Sequence, residues 1–362
     1  MTREYVEEVY EKLHSMPEIA FQEFKTSKYI LKQLESLNFD TVKVGETGII
    51  ATLDSGIPGP VFGIRTDIDA LRFSINDKIV NIHACGHDAN ASMVLATAKE
   101  ISEETISKGK LILIFQPAEE ADGGAKFMIQ YGNLEELEEL VGIHLRPIAE
   151  AALGEASPAL CHGACNTIGV IIKGSSSHGA RPHLGINSID VAISAINAVN
   201  AVKVDPRVSH SIKVTQINSD ESAQNIIPAT TKFILDVRAQ TNTVMDELVN
   251  KSIKAIEGIS NAYGATVSFS DDYVPAADYS EETLDMVAES IKKVLGKVLP
   301  NMITPGSEDF HFYMKKLKVK TAYIGLGADL KPGLHKPEMS FNLKALTHGK
   351  EILKDIVHNR LG

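Results

Sequence analysis

The stretch Leu111-Ile-Leu-Ile-Phe-Gln-Pro-Ala-Glu119-Glu120 runs an apolar segment straight into two adjacent carboxylates. Neighbouring acids repel unless something positive sits with them. A divalent metal answers this: one carboxylate ligates, and the other stays free to take a proton from metal-bound water. Further donors are spread along the chain in Thr66-Asp67-Ile-Asp69, His83-Ala-Cys85-Gly-His87-Asp88, Gly142-Ile-His144 and Gly333-Leu-His335. Cys85 and His87 are two apart, so on extended backbone they point the same way, and thiolate with imidazole suits zinc or a similar borderline metal. Together with Glu120, His144 and His335 they supply five ligands, more than one tetrahedral ion uses. The reading is therefore of two metal ions close together, bridged by Cys85 or a water, which clamps a tetrahedral intermediate in hydrolysis.

Each of these residues alone has a plainer explanation. A buried histidine is more often a hydrogen-bonded core residue, a buried cysteine a small hydrophobe, and a strand-end aspartate such as Asp67 or Asp69 a cap or turn former. Clustering decides otherwise, because the donors come after expected strands of one polarity, where ligands bind in open α/β sheets. Cys161 and Cys165 are read as structural.

The elements that must position these groups can be read from periodicity. Residues 3–37 read as two helices broken at Pro17, and 47–53 and 61–65 as strands separated by Gly56-Ile-Pro-Gly-Pro60. A helix from 91 to 107, a strand at 111–115, a helix at 123–131 and a strand at 140–145 continue an alternation that calls for a largely parallel sheet flanked by helices. Residues 167–275 parse separately: strand 167–173, helix 188–202, strands 211–217 and 231–238, helix 243–263 and strand 266–270, the β-α-β-β-α-β order of a ferredoxin-like domain. Helices at 280–295, 309–316 and 343–358 and a strand at 321–325 return to the first pattern. The expectation is a catalytic metal-binding domain of residues 1–166 and 276–362, interrupted by an inserted lid or dimerisation domain of residues 167–275. An edge strand of that inserted sheet could pair with a second copy in a homodimer.

The composition excludes several classes. At 362 residues, 44% hydrophobic and 23% charged, the chain suits two domains. Its net charge of −11 comes from dispersed acids, which argues against a nucleic-acid partner. No apolar run nears the roughly 20 residues of a spanning helix, so no membrane segment is expected. Three cysteines at no disulfide-like spacing and a charged N-terminal stretch read as cytoplasmic.

The motifs resemble those of the M20 metallopeptidases, and within them the aminoacylase-type amidohydrolases. Leu13-His-Ser-Met-Pro-Glu18, Arg65-Thr-Asp-Ile-Asp-Ala-Leu71, His83-Ala-Cys-Gly-His-Asp88, Phe115-Gln-Pro-Ala-Glu-Glu120, Gly142-Ile-His144 and Leu334-His-Lys-Pro337 match in order. Ser177-His-Gly-Ala-Arg-Pro-His183, Asn225-Ile-Ile-Pro228, Asp236-Val-Arg238 and Gly306-Ser-Glu-Asp-Phe310 extend the likeness over almost the whole chain. The resemblance implies metal ligands Cys85, His87, Glu120, His144 and His335, with Glu119 as general base. It implies Asp69 as an orienter of ligands, His178 as an oxyanion donor, and Asn225 with Arg238 as holders of a substrate carboxylate. Three places depart from the family pattern: Asn90 stands where a histidine is usual, the 72–82 segment is short with Arg72 in place of proline, and 161–166 shows no family pattern.

The function expected is hydrolysis of the amide of an N-acyl amino acid or a related small conjugate, using two divalent ions. Sulfur favours zinc, while carboxylate and imidazole also admit manganese, cobalt or nickel. Two rivals are a dipeptidase on the same site, since the motifs fix an amide bond and not its flanking groups, and a binding protein of the same fold that has lost turnover.

Overall fold

The computed structural model describes residues 4–121, 123–220, 223–304 and 306–362. The chain divides into two compact units, one made of Met1–Cys161, Asp278–Thr304 and Glu308–Gly362, the other of His162–Ala277 with Pro305–Ser307. Both boundaries of the insertion lie outside 167–275, because its first strand already begins at Ala164 and the backbone N–H of Ala277 donates to the carbonyl of His162.

The larger unit is built on a seven-stranded sheet in the order Asp40–Val44, Gly48–Asp54, Lys110–Gln116, Val61–Asp67, Glu139–Pro147, Lys320–Leu330, Ala156–Ser157. Its four middle strands are mutually parallel. They are also almost wholly buried along their length, as strands covered on both faces must be. The outer strands pair antiparallel, so the sheet is mixed, not mostly parallel. Local pattern could not show this, since a buried run looks the same whichever way its neighbour points. Helices Tyr5–His14, His87–Glu104, Glu281–Leu295 and Lys344–Leu361 supply Val9, Leu13, Val94, Ile101, Val287, Ile352 and Ile356 to one continuous core with Phe62, Ile64, Leu113, Ile143 and Ile324.

Two elements differ from the sequence expectation in ways that matter for the site. The helix expected from 91 starts at His87; its first turn is polar yet buried, so hydrophobic periodicity could not detect it. The 72–82 segment is a β-hairpin, Leu71–Ile75 against Lys78–Ile82. Asn76 and Asp77 turn it, with φ of 50° and 61°, the left-handed pair that a two-residue hairpin loop needs.

The smaller unit carries an antiparallel sheet in the order His210–Ser219, Thr230–Ala239, Ala164–Lys173, Thr266–Val274. Helices Ser188–Asn200 and Asn242–Ala262 complete a β-α-β-β-α-β succession. Alternate residues of the first strand, Ile168, Val170 and Ile172, are buried with Val191, Phe233, Leu235 and Leu248. No helix among the described residues is long and apolar enough to cross a membrane.

Candidate metal centre

The site of the larger unit lies where its parallel strands end. Val61–Asp67 ends on Asp67 and leads to Asp69; Lys110–Gln116 leads to Glu119 and Glu120, which sit in a single 3-10 turn; and His144 lies within Glu139–Pro147. Gly86, at φ 92°, makes the turn between Cys85 and His87 that opens the long helix, a conformation for which glycine carries no Cβ penalty. His335 sits in the loop after Lys320–Leu330, where its N–H donates to the carbonyl of Ala84 at 2.7 Å. It has a φ of 60°, uncommon for a residue with a side chain and characteristic of constrained functional positions.

All five ligand candidates come together. The donor atoms of Cys85, His87 and His144 lie within 4.8 Å of one another, and so do those of Cys85, Glu120 and His335. Cys85 belongs to both groups. The two buried histidines are each anchored through Nδ1. His144 Nδ1 donates to the Leu145 carbonyl at 2.8 Å and its Nε2 stands 3.5 Å from Cys85 Sγ; burial lowers its pKa to about 4, leaving the ring neutral. His87 Nδ1 is 3.0 Å from Asp69 Oδ1, which turns its Nε2 inward; burial works against its charged form, but Asp67 and Cys85 outweigh burial and raise its pKa well above the usual imidazole range, so a cation bound there would displace a proton.

The residues fit divalent ions on a further observation. His87 Nε2 is buried with no hydrogen-bond partner among the described residues, and Glu120 Oε1 has only ion-pair contacts, the shorter from His335 Nε2 at 3.4 Å, a costly condition that bound cations relieve. Burial pushes the Cys85 thiol up to about 12, and a thiol so placed becomes a thiolate only beside positive charge. Glu119 is raised well above the usual carboxylate range, first by burial and then by Glu308 and Asp309.

Asp69 grips two of the candidate ligands at once: Oδ1 faces His87, and Oδ2 accepts the Glu120 backbone N–H at 3.0 Å. Asp69→Asn should therefore weaken divalent-cation affinity about 10- to 100-fold. A zinc titration checks this, and unchanged affinity would remove Asp69 from the site.

Sequence reasoning missed the support beneath Glu119. Arg65 is fully buried and donates to Asp67 Oδ2 at 2.9 Å, Asp309 Oδ1 at 2.8 Å and Gln116 Oε1 at 2.9 Å, with Glu308 Oε1 at 3.2 Å. The Tyr323 hydroxyl donates to Glu308 at 3.0 Å, and Gln116 donates to both Asp309 oxygens. Gly306-Ser-Glu-Asp-Phe310 was the signal available, but nothing in its spacing says that an arginine 244 positions away is its partner. Asn90, the departure from the family histidine, donates to Asp67 Oδ1 at 3.1 Å.

In the smaller unit, His178 and Asn225 lie together, with His178 Nε2 3.5 Å from the Asn225 side-chain amide. The Ala180 N–H donates to His178 Nδ1 at 3.1 Å, so a neutral ring carries its proton on Nε2. Arg238 lies on Thr230–Ala239, about half exposed, and is paired with Asp236 at 3.0 Å.

Residues 63–359 match the profile of peptidase family M20/M25/M40. The chain belongs to this family. N-acetyldiaminopimelate deacetylase of Listeria innocua serovar 6a is 28% identical over 96% of this chain and 97% of its own. A crystal structure from methicillin resistant Staphylococcus aureus, described as an aminohydrolase, superposes with a TM-score of 0.90 at 26% identity, covering 99% of this chain and 96% of the other. The Bacillus subtilis YXEP protein, a dinuclear metal binding peptidase of the M20 family, shares the fold with a TM-score of 0.81 at 24% identity, covering 98% and 97%. In this M20 chain, the Glu119-Glu120 doublet, Cys85, His87, His144 and His335 stand in overlapping groups of donor atoms.

Proposed function

We propose that this protein is a two-metal amidohydrolase that cleaves the acyl group from small N-acyl amino acids. The observation that carries this reading is the pair of donor groups sharing Cys85, with Glu119 close by and surplus to both. When bound, the two cations polarise the amide carbonyl and make water nucleophilic near neutral pH. Cys85, His87 and His144 would hold one, and Cys85, Glu120 and His335 the other.

The protein's own groups do the proton work. Glu119 takes the proton of the attacking water and passes it to the leaving amine. Asp69 fixes the tautomer of His87 and the backbone of Glu120. His178, with Nε2 protonated, donates to the oxyanion as it forms, beside Asn225. Arg238, whose fork meets Asp236 in solvent, can exchange that exposed pair for a substrate carboxylate. The Listeria relative deacetylates an amino-acid amine, which favours an N-acyl substrate over a free-amine peptide.

Zinc is the reading the thiolate favours, with manganese, cobalt or nickel admitted by the other donors. We place the enzyme in the cytoplasm, in keeping with three cysteines that form no disulfide, and take it to be a homodimer formed through the smaller unit, whose exposed strand His210–Ser219 lies at the sheet edge. Elemental analysis, followed by rates on N-acetyl amino acids and on free-amine dipeptides with the measured metal restored, tests the function. Higher kcat/KM on the N-acyl compounds is expected. Preference for dipeptides would make it a peptidase, and binding without product would make it a non-catalytic relative.

A further inference from the structure

The loop that projects Glu119 and Glu120, and the helix Gly124–Tyr131 that comes after it, are held through their backbone by carboxylates from three distant segments. Asp69 accepts the N–H of Glu120, and Asp309 accepts that of Ala125 at 2.8 Å. The third is Glu23, whose Oε1 accepts from the N–H of Ala118 at 2.9 Å and from the N–H of Phe21 at 2.9 Å. Ala118 and Phe21 have φ of 56° and 58°. Neither is glycine, so each is strained and persists only where neighbours enforce it. Ala118 immediately precedes the doublet, and its backbone sets the direction in which Glu119 leaves.

Glu23 occupies the N-cap of helix Phe24–Ser36, where an acid ordinarily caps its own helix. It does not. Glu18 Oε2 accepts from the N–H groups of Lys25 and Thr26, at 2.9 Å each, in its place. Glu23 is thereby released to reach across to the loop, and it is wholly buried.

We propose that Glu23 is a positioning residue for the Glu119-Glu120 doublet, fixing Ala118 in the left-handed conformation from which both carboxylates project. The proposal rests on reading Glu119 as base and Glu120 as ligand.

Three variants test it. Glu23→Gln keeps a planar oxygen at the same reach; Glu23→Asp keeps the charge but falls short; Glu23→Ala removes both. In the Ala and Asp variants, kcat is expected to fall about 10- to 100-fold with KM within about threefold, the scale expected of a displaced catalytic group, while Gln stays near wild type. A cobalt titration followed by visible absorption gives a second readout: Ala and Asp change the spectrum and weaken the second equivalent, and Gln reproduces wild type. That readout needs no turnover, so an inactive wild type would overturn the amidohydrolase reading and leave this proposal decided by the spectra. Wild-type kcat or an unchanged spectrum in Glu23→Asp overturns it. So does a Gln variant as impaired as Ala, since charge and not reach would then matter. Should Glu23→Ala fail to fold, the Asp and Gln pair decides alone.

Discussion

Replacing Glu119 by Gln is expected to lower kcat by about 10²–10⁴ while the protein keeps both metals, the range that loss of a positioned general base produces. Glutamine matches the shape of glutamate and cannot accept the proton of the attacking water. The prediction is sharp because the geometry offers Glu119 another occupation: with His87 and Glu120 it forms a further group of donors within 4.8 Å, and its Oε2 lies 3.8 Å from His87 Nε2. The two roles separate by measurement. Turnover lost with metal content unchanged makes Glu119 the base; turnover lost with one metal makes it a ligand; turnover retained sinks the mechanism.

Arg65→Met is expected to cost about 3–5 kcal/mol of stability, the effect of removing one partner from a buried ionic group. Among the described residues, Arg65 is the cation in direct contact with all three of Asp67, Glu308 and Asp309, and all four side chains are buried. Burial alone would push Asp67 upward; His87 and Arg65 outweigh it and hold the carboxyl at about 2. Asp309 rises to about 7, because burial there exceeds what Arg65 returns. Removing the guanidinium leaves three acids beneath Glu119 without that compensation. Urea unfolding of the apoprotein would show the loss, and an unchanged midpoint would show that the acids take up protons at little cost. Arg65→Lys should rescue poorly, since one ammonium cannot reproduce a fork that reaches Gln116, Asp67 and Asp309 together.

How much the sequence could reveal depends on where each signal lives. Cys85 with His87 and Glu119 with Glu120 are local, so their chemistry is visible in a few residues. His144 and His335 are legible because they lie near the ends of expected strands, the edge where an open sheet gathers its ligands. The Arg65 network is the opposite case: an arginine in a short strand reads as a surface charge until the fold brings Asp309 to it. Glu23 was invisible for a similar reason, since an acid before a helix has a sufficient explanation as a cap. The mixed sheet and the early start of the helix at His87 escaped because hydrophobic pattern records burial, and records neither strand direction nor burial of polar groups around a site.

The hairpin Leu71–Ile75 with Lys78–Ile82 joins Asp69 to Cys85, two residues whose positions the centre depends on. Its start is fixed by the Ala70 N–H to the Glu18 carbonyl at 2.7 Å, while near its tip Ile79 is 71% exposed. A hairpin can grow or shrink by one residue pair per step without moving the points where the chain enters and leaves it. Its length is thus a dial that evolution, or a designer, can turn independently of the chemistry.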